Sequence, residues 1–152
     1  MPYEKIQMTP TEFKERFVET YQGSSTRQTI FSNYESYIKA FSEQVSSNFL
    51  HWIDGSFVTK KLNPRDIDFV SLIDHDIATR SYSLLKDHFL NKESLKKYRL
   101  DAYLIRMYPA DHKEYSKTAS DLLYWSNWFG KTKRNRAKRR FPKGFIEISY
   151  SL

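Results

Sequence analysis

Residues 53–70, which read IDGSFVTKKLNPRDIDFV, decide the fold of this chain because they join two structural elements through a polar loop. A Gly-Ser pair stands near the start of the stretch, and near its end Asp66 and Asp68 flank a single isoleucine. Because side chains alternate across a β-strand, both carboxylates are predicted to lie on one face of a strand and Ile67 on the other. The stretch therefore predicts a strand that presents two acids together, one loop away from Gly-Ser.

Two carboxylates on one strand face repel each other and resist burial, so the pair requires a positive charge beside it. Mg²⁺ meets this requirement, since it prefers oxygen ligands and is usually shared between one or two carboxylates and substrate phosphates. Gly55 lets backbone N–H groups approach an anion, and the Ser56 hydroxyl can donate to a phosphate oxygen. Lys60 and Lys61 lie in the loop between these two parts. The stretch is interpreted as a cradle for a metal ion and a triphosphate.

The composition limits the class of protein. At 152 residues the chain is expected to form one domain with its own core. It contains no cysteine, which excludes disulfides, thiolate metal sites and thiol catalysis. No apolar run approaches the length of a membrane helix and the N-terminus has no signal-peptide pattern, so we expect a soluble cytoplasmic protein with no membrane partner. The 25 basic and 18 acidic residues give a net charge of +7, which favours an anionic partner.

Hydrophobic periodicity and capping signals predict helices and strands in alternation. Thr9, Pro10 and Glu12 form a capping-box pattern at the start of a first helix. Further helices are expected over residues 26–46, 78–98 and 116–128, and strands over residues 49–53, 66–73, 99–108 and 144–150. This order predicts one α+β (α/β-like) domain over residues 1–152, with a small mixed sheet of about four strands flanked by helices. Residues 1–48 are expected to form two leading helices packed on that sheet.

The order Gly-Ser, loop, then Asp-x-Asp on a strand resembles the nucleotidyltransferase superfamily of the DNA polymerase beta type. More narrowly, GSFVTKKLNPRDIDFV looks like the minimal nucleotidyltransferases of prokaryotes, which include the small partners and antitoxins of toxin–antitoxin pairs. The tight motif covers residues 55–68, and Asp101 in RLDAYLI matches the family's third carboxylate on a later strand. The order of elements agrees over most of residues 30–150, so the resemblance implies the nucleotidyltransferase fold.

The resemblance also implies functions for these residues. Asp66 and Asp68 would bind two Mg²⁺ ions, one catalytic and one that travels with the nucleotide. Asp101 would bind the catalytic ion and help to position or deprotonate an attacking hydroxyl. The residues that bind the nucleotide would be Gly55, Ser56, Lys60 and Lys61. The implied reaction is attack on the α-phosphate of an NTP with release of pyrophosphate, which moves an NMP to a hydroxyl of a protein, an RNA or a small molecule.

One segment departs from the family pattern. Small members usually carry a glycine a few residues after Gly-Ser, whereas residues 58–60 read Val-Thr-Lys. The loop is therefore expected to hold phosphates differently, or not at all. Two functions stay open: an active enzyme, within a toxin–antitoxin or defence system, and a catalytically inactive module that binds a toxin partner or RNA. Asp54 and Asp74 are expected to be loop acids or helix caps.

A basic run near the C-terminus, KTKRNRAKRRFPK at residues 131–143, holds eight positive charges. Removing these eight from the net +7 leaves −1, so an anionic partner is expected at this end of the chain. The run is typical either of a solvated loop before the last strand or of a surface that contacts the phosphates of RNA or of a triphosphate. The candidate phosphate contacts are Lys131, Lys133, Arg134, Arg136, Lys138, Arg139, Arg140 and Lys143.

Overall fold

The computed structural model describes residues 5–129 and 144–152, which form a mixed five-stranded sheet and six α-helices. The strands are β1 (Lys5–Gln7), β2 (Asn48–Asp54), β3 (Ile67–Asp74), β4 (Leu100–Met107) and β5 (Phe145–Ser151). The helices are α1 (Pro10–Phe17), α2 (Arg27–Gln44), α3 (His75–Arg80), α4 (Tyr82–His88), α5 (Asn91–Tyr98) and α6 (Tyr115–Phe129). The strand order is β1-β5-β2-β3-β4, and β2 runs antiparallel to both of its neighbours, whereas β3–β4 and β1–β5 are parallel pairs. The α+β class expected from the sequence is confirmed.

The sheet has one strand more than the sequence predicted. β1 contributes only three residues, all exposed, and pairs with β5 through Lys5 opposite Phe145. Glu147 on β5 holds this edge, because its carboxylate accepts a hydrogen bond from Gln7 Nε2 at 3.2 Å and pairs with Lys5 Nζ at 3.2 Å. A three-residue strand without a buried face carries no apolar alternation, which is why this strand was not predicted.

Both leading helices form where the sequence predicts them. The N–H of Glu12 donates to Thr9 Oγ1 at 3.1 Å and the N–H of Thr9 donates to Glu12 Oε2 at 2.9 Å, which completes the capping box of α1. The two helices pack on the sheet through one apolar cluster. Their buried apolar residues are Phe13, Phe17, Ile30, Phe31, Tyr34, Tyr37, Ile38 and Phe41.

Residues 78–98 are mostly helical, as expected, but they belong to three separate helices rather than to one. α3 ends at Arg80, and between α4 and α5 Leu90 adopts an extended backbone (φ −128°, ψ 154°) followed by Asn91 at φ +55°. The break turns α5 so that Ser94 reaches β4, where its hydroxyl lies 2.8 Å from the carbonyl oxygen of Leu100. Tertiary packing thus overrides a helical spacing that is locally continuous.

The two faces of the sheet are covered differently. The larger apolar cluster combines one face with residues of α1, α2, α4 and α5. The smaller cluster lies among Trp52, Val70, Leu72, Ile105 and Phe145, and α6 covers it with Phe129 and the partly buried Leu122 and Trp125. Within the described ranges, none of the helices has the length and apolar character required to cross a membrane.

Candidate functional site

Three neighbouring strands carry an aspartate at matching positions. Asp68 on β3 pairs with Asp54 on β2 in the antiparallel register and with Asp101 on β4 in the parallel register. Residues directly opposite each other on adjacent strands project from the same face, and adjacent strands are about 4.8 Å apart. Asp54, Asp68 and Asp101 therefore form a line across the sheet, which we call the acidic row.

The acidic row lies on the face of the sheet that α6 partly covers. Ile53, Ile67 and Phe69, which alternate with Asp54 and Asp68, are fully buried in the larger cluster. Strand alternation therefore places these aspartates on the opposite face. Asp54 is buried, whereas Asp68 and Asp101 are only partly buried. Two of the three carboxylates are thus accessible to a ligand.

The predicted acids come together in the structure. Asp66 lies one residue before β3 begins, so it belongs to the loop that precedes the strand. Its negative charge nevertheless acts on Asp68. Asp101 lies beside Asp68 on the next strand, where the sequence placed the third carboxylate. The site therefore contains four carboxylates, the acidic row and Asp66.

The pKa of Asp68 is raised to about 8. Burial is the largest cause, followed by the charge of Asp66, a hydrogen bond with Asp101, and the charges of Asp101 and Asp54. A hydrogen bond between two carboxyl groups requires a proton on one of them. The site therefore retains a positive charge, here a proton, among its four carboxyl groups at neutral pH.

Gly55 lets the chain pass directly beside Asp68. Its φ is +85°, and a Cβ placed on it would lie 1.9 Å from Oδ2 of Asp68. Any other residue would strain the backbone and displace the carboxylate. Ser56 begins a short 3-10 turn, Ser56–Val58, in which the N–H of Val58 donates to the carbonyl oxygen of Gly55 at 3.3 Å. The Gly-Ser turn thus contacts the acidic row.

The expectation that Asp54 is a loop acid or a cap is wrong. Asp54 is the last residue of β2, is 7% exposed and belongs to the acidic row. Strand alternation after the apolar Ile53 indicates that Asp54 faces away from the larger cluster. The register that places Asp54 opposite Asp68 is not visible in the sequence. Asp74, by contrast, does cap a helix: its Oδ2 accepts hydrogen bonds from the N–H groups of Asp76 at 3.1 Å and Ile77 at 3.3 Å.

Tyr103 is a second residue of the site that was not predicted from the sequence. It follows Asp101 by two positions on β4, so the two side chains share a face, and they are hydrogen-bonded to each other. Burial, this hydrogen bond and the charge of Asp101 raise the pKa of Tyr103 to about 12, so the phenol stays neutral and donates. Its ring packs on Trp125 of α6 with the ring centroids 4.9 Å apart. Tyr103 therefore connects Asp101 to α6.

Whether these residues fit Mg²⁺ depends on donor type and on arrangement. Over residues 5–129 and 144–152, no group of three or more histidine, cysteine, aspartate or glutamate side chains is arranged to hold a metal ion. The donor type does fit, because Mg²⁺ prefers carboxylate oxygens and the acidic row supplies them beside Asp66. The proton between Asp68 and Asp101 compensates the negative charges of the site, and a bound cation would compensate the same charges.

The predicted phosphate contacts are placed only in part. Lys60 and Lys61 are both exposed, in the loop between Gly55 and Asp66. The basic run lies outside the described residues. Its predicted contacts are Lys131, Lys133, Arg134, Arg136, Lys138, Arg139, Arg140 and Lys143.

Comparison with known proteins gives a family but no activity. Over residues 1–149 the chain matches a family of unknown function, DUF6932. No curated protein and no solved structure matches it. The chemistry must therefore be argued from the residues themselves.

Proposed function

We propose that this chain, which belongs to the DUF6932 family, is a Mg²⁺-dependent nucleotidyltransferase with the nucleotidyltransferase fold. It would move an NMP from an NTP to a hydroxyl of a protein, an RNA or a small molecule. The observation that carries the proposal is the acidic row, with Gly55 packed against Asp68. A Gly-Ser turn beside Asp-x-Asp and a third carboxylate on the neighbouring strand is the arrangement that the resemblance to the polymerase beta superfamily implies.

The four carboxylates explain why a divalent cation is the expected partner. Burial and mutual repulsion keep Asp68 protonated at neutral pH, and a cation relieves the same repulsion without the proton. Asp66, Asp68 and Asp101 are the residues that would hold Mg²⁺. When bound, Mg²⁺ supplies positive charge that stabilises the attacking and leaving oxygens of a phosphoryl transfer.

The other residues of the site have separate tasks. Gly55 has no side chain, so phosphate oxygens can approach the backbone at the start of the turn. The Ser56 hydroxyl donates to a phosphate, and the exposed Lys60 and Lys61 attract the triphosphate. Asp101, held by the Tyr103 hydroxyl, positions the attacking hydroxyl or accepts its proton.

A label-transfer assay tests the proposal. Wild-type protein is mixed with each of the four α-labelled NTPs and Mg²⁺, with total RNA and cell lysate as acceptors. Asp68→Asn is the test variant, and Asp111→Asn, at an exposed acid that does not belong to the acidic row, is the control. We expect label on one acceptor class with wild type and Asp111→Asn. Asp68→Asn should transfer it about a hundredfold more slowly or worse, since metal ions contribute several kcal/mol to such reactions.

Two results would count against an enzyme. Equal transfer by folded Asp68→Asn would show that the acidic row takes no part in the reaction. No transfer with any NTP would show that the protein is not a nucleotidyltransferase. Circular dichroism of each variant separates loss of function from loss of folding.

A binding module without catalysis is the second candidate. It is favoured by the finding that, in the part of the chain that the structure describes, no three ligands are arranged for a metal ion. Such a module would bind a toxin partner or RNA. Asp68→Asn would then leave partner binding intact, whereas replacing the four arginines of the basic run with glutamine would weaken RNA binding and its salt dependence.

A further inference from the structure

Arg27, at the first position of α2, is a buried cation with unusual partners. It is 1% exposed, yet within residues 5–129 and 144–152 no carboxylate forms an ion pair with it. Its guanidinium instead lies between two rings, 4.0 Å from the centroid of Tyr21 and 4.9 Å from that of Phe57. A buried charge is costly unless hydrogen bonds compensate it, so its partners indicate what it holds.

Those partners are backbone carbonyl oxygens, and most belong to one loop. Nη1 donates to Phe17 at 2.8 Å and to Phe57 at 2.6 Å, while Nη2 donates to Thr59 at 2.8 Å and to Lys61. Three of the four carbonyls thus lie within residues 56–61, which we call the phosphate-side loop. This loop contains Ser56, Lys60 and Lys61, and it begins directly after the glycine that contacts Asp68.

The phosphate-side loop is fixed by other contacts to the same region. Asn63, just beyond it, accepts a hydrogen bond from the N–H of Ser25 at 2.8 Å. Inside the loop, the Thr59 hydroxyl donates to the carbonyl oxygen of Ser56 at 2.7 Å. The planar guanidinium is suited to bind several carbonyls in a fixed geometry, which a lysine ammonium cannot reproduce.

We infer that Arg27 is a positioning residue, which shapes the phosphate-side loop so that Ser56, Lys60 and Lys61 meet the triphosphate of the substrate. The inference rests on the proposed function. Arg27 acts from the core side of the loop and need not touch the nucleotide. The carbonyl oxygens of Phe57 and Thr59 accept hydrogen bonds from the buried guanidinium, whereas Lys60 and Lys61 are exposed.

The test compares Arg27→Lys with wild type in two measurements. Hydrogen exchange with and without Mg²⁺ and NTP reports the loop, where the N–H groups of Val58 and Thr59 donate to Gly55 and Ser56. Label-transfer kinetics report KM and kcat. We expect faster exchange in residues 56–61 with unchanged exchange in β4, and a KM for NTP raised roughly 10- to 100-fold, as for other supporting contacts, with kcat within about threefold. Arg80→Lys, on an exposed arginine of α3, is the matched control and should change neither.

Asn63→Ala provides a milder variant, because Asn63 is exposed and its loss does not open the core. We expect Asn63→Ala to raise the KM for NTP by a smaller factor than Arg27→Lys does. This variant therefore tests the inference if Arg27→Lys fails to fold. Faster loop exchange with an unchanged KM would overturn the inference and leave Arg27 a structural residue, and unchanged exchange would overturn it as well. If wild type transfers no label, the proposed function fails, and protection of the loop by Mg²⁺ and NTP in wild type but not in Arg27→Lys would still support the positioning role.

Discussion

At the scale of the residue, Gly55 and Asp68 exclude any larger side chain at position 55. An added Cβ would meet Asp68 Oδ2 at 1.9 Å, and φ is +85°, a region that alanine enters at a cost. We expect Gly55→Ala to lower the free energy of unfolding by about 1–3 kcal/mol, from the backbone strain alone, and to displace the carboxylate. Thermal unfolding measures the loss.

Gly23 supplies the matched control for this prediction, because no atom lies within 4 Å of a Cβ placed on it. Gly23→Ala should change the stability by no more than about 0.5 kcal/mol. If both variants unfolded at the same temperature, the close contact between Gly55 and Asp68 would be wrong.

The residues of the site differ in how far the sequence could predict them. Asp66 and Asp68 are two positions apart, so strand alternation predicted that their carboxylates would be near each other, although Asp66 lies just before β3 begins. Asp54 and Tyr103 belong to the site through the pairing of different strands and through a side-chain hydrogen bond. Register between strands is set by long-range packing, and no local pattern in one strand states which residue of another strand it faces. Arg27 was missed for the same reason, since three of its four carbonyl partners lie 30 to 34 residues away.

At the scale of the element, α5 fixes the start of β4 through one buried hydroxyl. Ser94 is fully buried, its Oγ lies 2.8 Å from the Leu100 carbonyl oxygen and 2.9 Å from that of Asn91, and it accepts from the N–H of Ala102 at 3.3 Å. Asp101 lies between the two β4 residues that Ser94 contacts. The position of the third carboxylate therefore depends on how α5 docks on β4.

We expect Ser94→Ala to cost about 1–3 kcal/mol, because it leaves buried backbone groups without their partner. It should also reduce label transfer, since Asp101 loses its support from α5. Urea unfolding and the transfer assay measure the two effects, and Ser83→Ala, on an exposed serine of α4, is the control. Unchanged stability in Ser94→Ala would show that the hydroxyl does not join α5 to the strand.

At this scale the sequence predicted the element types better than their breaks. The capping box at Thr9 is a local signal and was correct. The helical character of residues 78–98 was correct as well, but the break at Leu90 and Asn91 was not predicted, because it serves the docking of α5 on β4, which is a tertiary contact. The short strand β1 exists only through its pairing with β5, and no periodicity within three residues could show it.

At the scale of the whole molecule, the buried His51 and the partly buried Asp68 have opposite effects on how stability depends on pH. Burial lowers the pKa of His51 from 6.5 to about 3, so the folded chain keeps it neutral and loses stability as pH falls below 6.5, where the unfolded chain binds a proton. The pKa of Asp68 is raised from 3.8 to about 8, so the folded chain keeps a proton that the unfolded chain releases. That stabilisation is complete below pH 3.8 and is lost as pH rises through 8. Between pH 6.5 and 8, the free energy of unfolding therefore depends on the ionisation of Asp68 and not on that of His51.

We therefore expect the free energy of unfolding of the wild type to fall from pH 6.5 to pH 8, by at most about 1.4 kcal/mol per pH unit. Asp68→Asn should remove this fall, since an amide does not ionise and the repulsion from Asp66, Asp101 and Asp54 disappears. Urea unfolding at both ends of that pH range measures it, with the exposed Asp87→Asn as a control that should decline like the wild type. The same variant should therefore be more stable than the wild type at pH 8 and yet lose label transfer. Such a loss of stability in the wild type is expected of a functional site that holds like charges together. A wild-type stability that stays constant over this range, or an Asp68→Asn variant that declines in parallel with it, would contradict the raised pKa of Asp68 and the repulsion from Asp66, Asp101 and Asp54, from which the proposed function is argued.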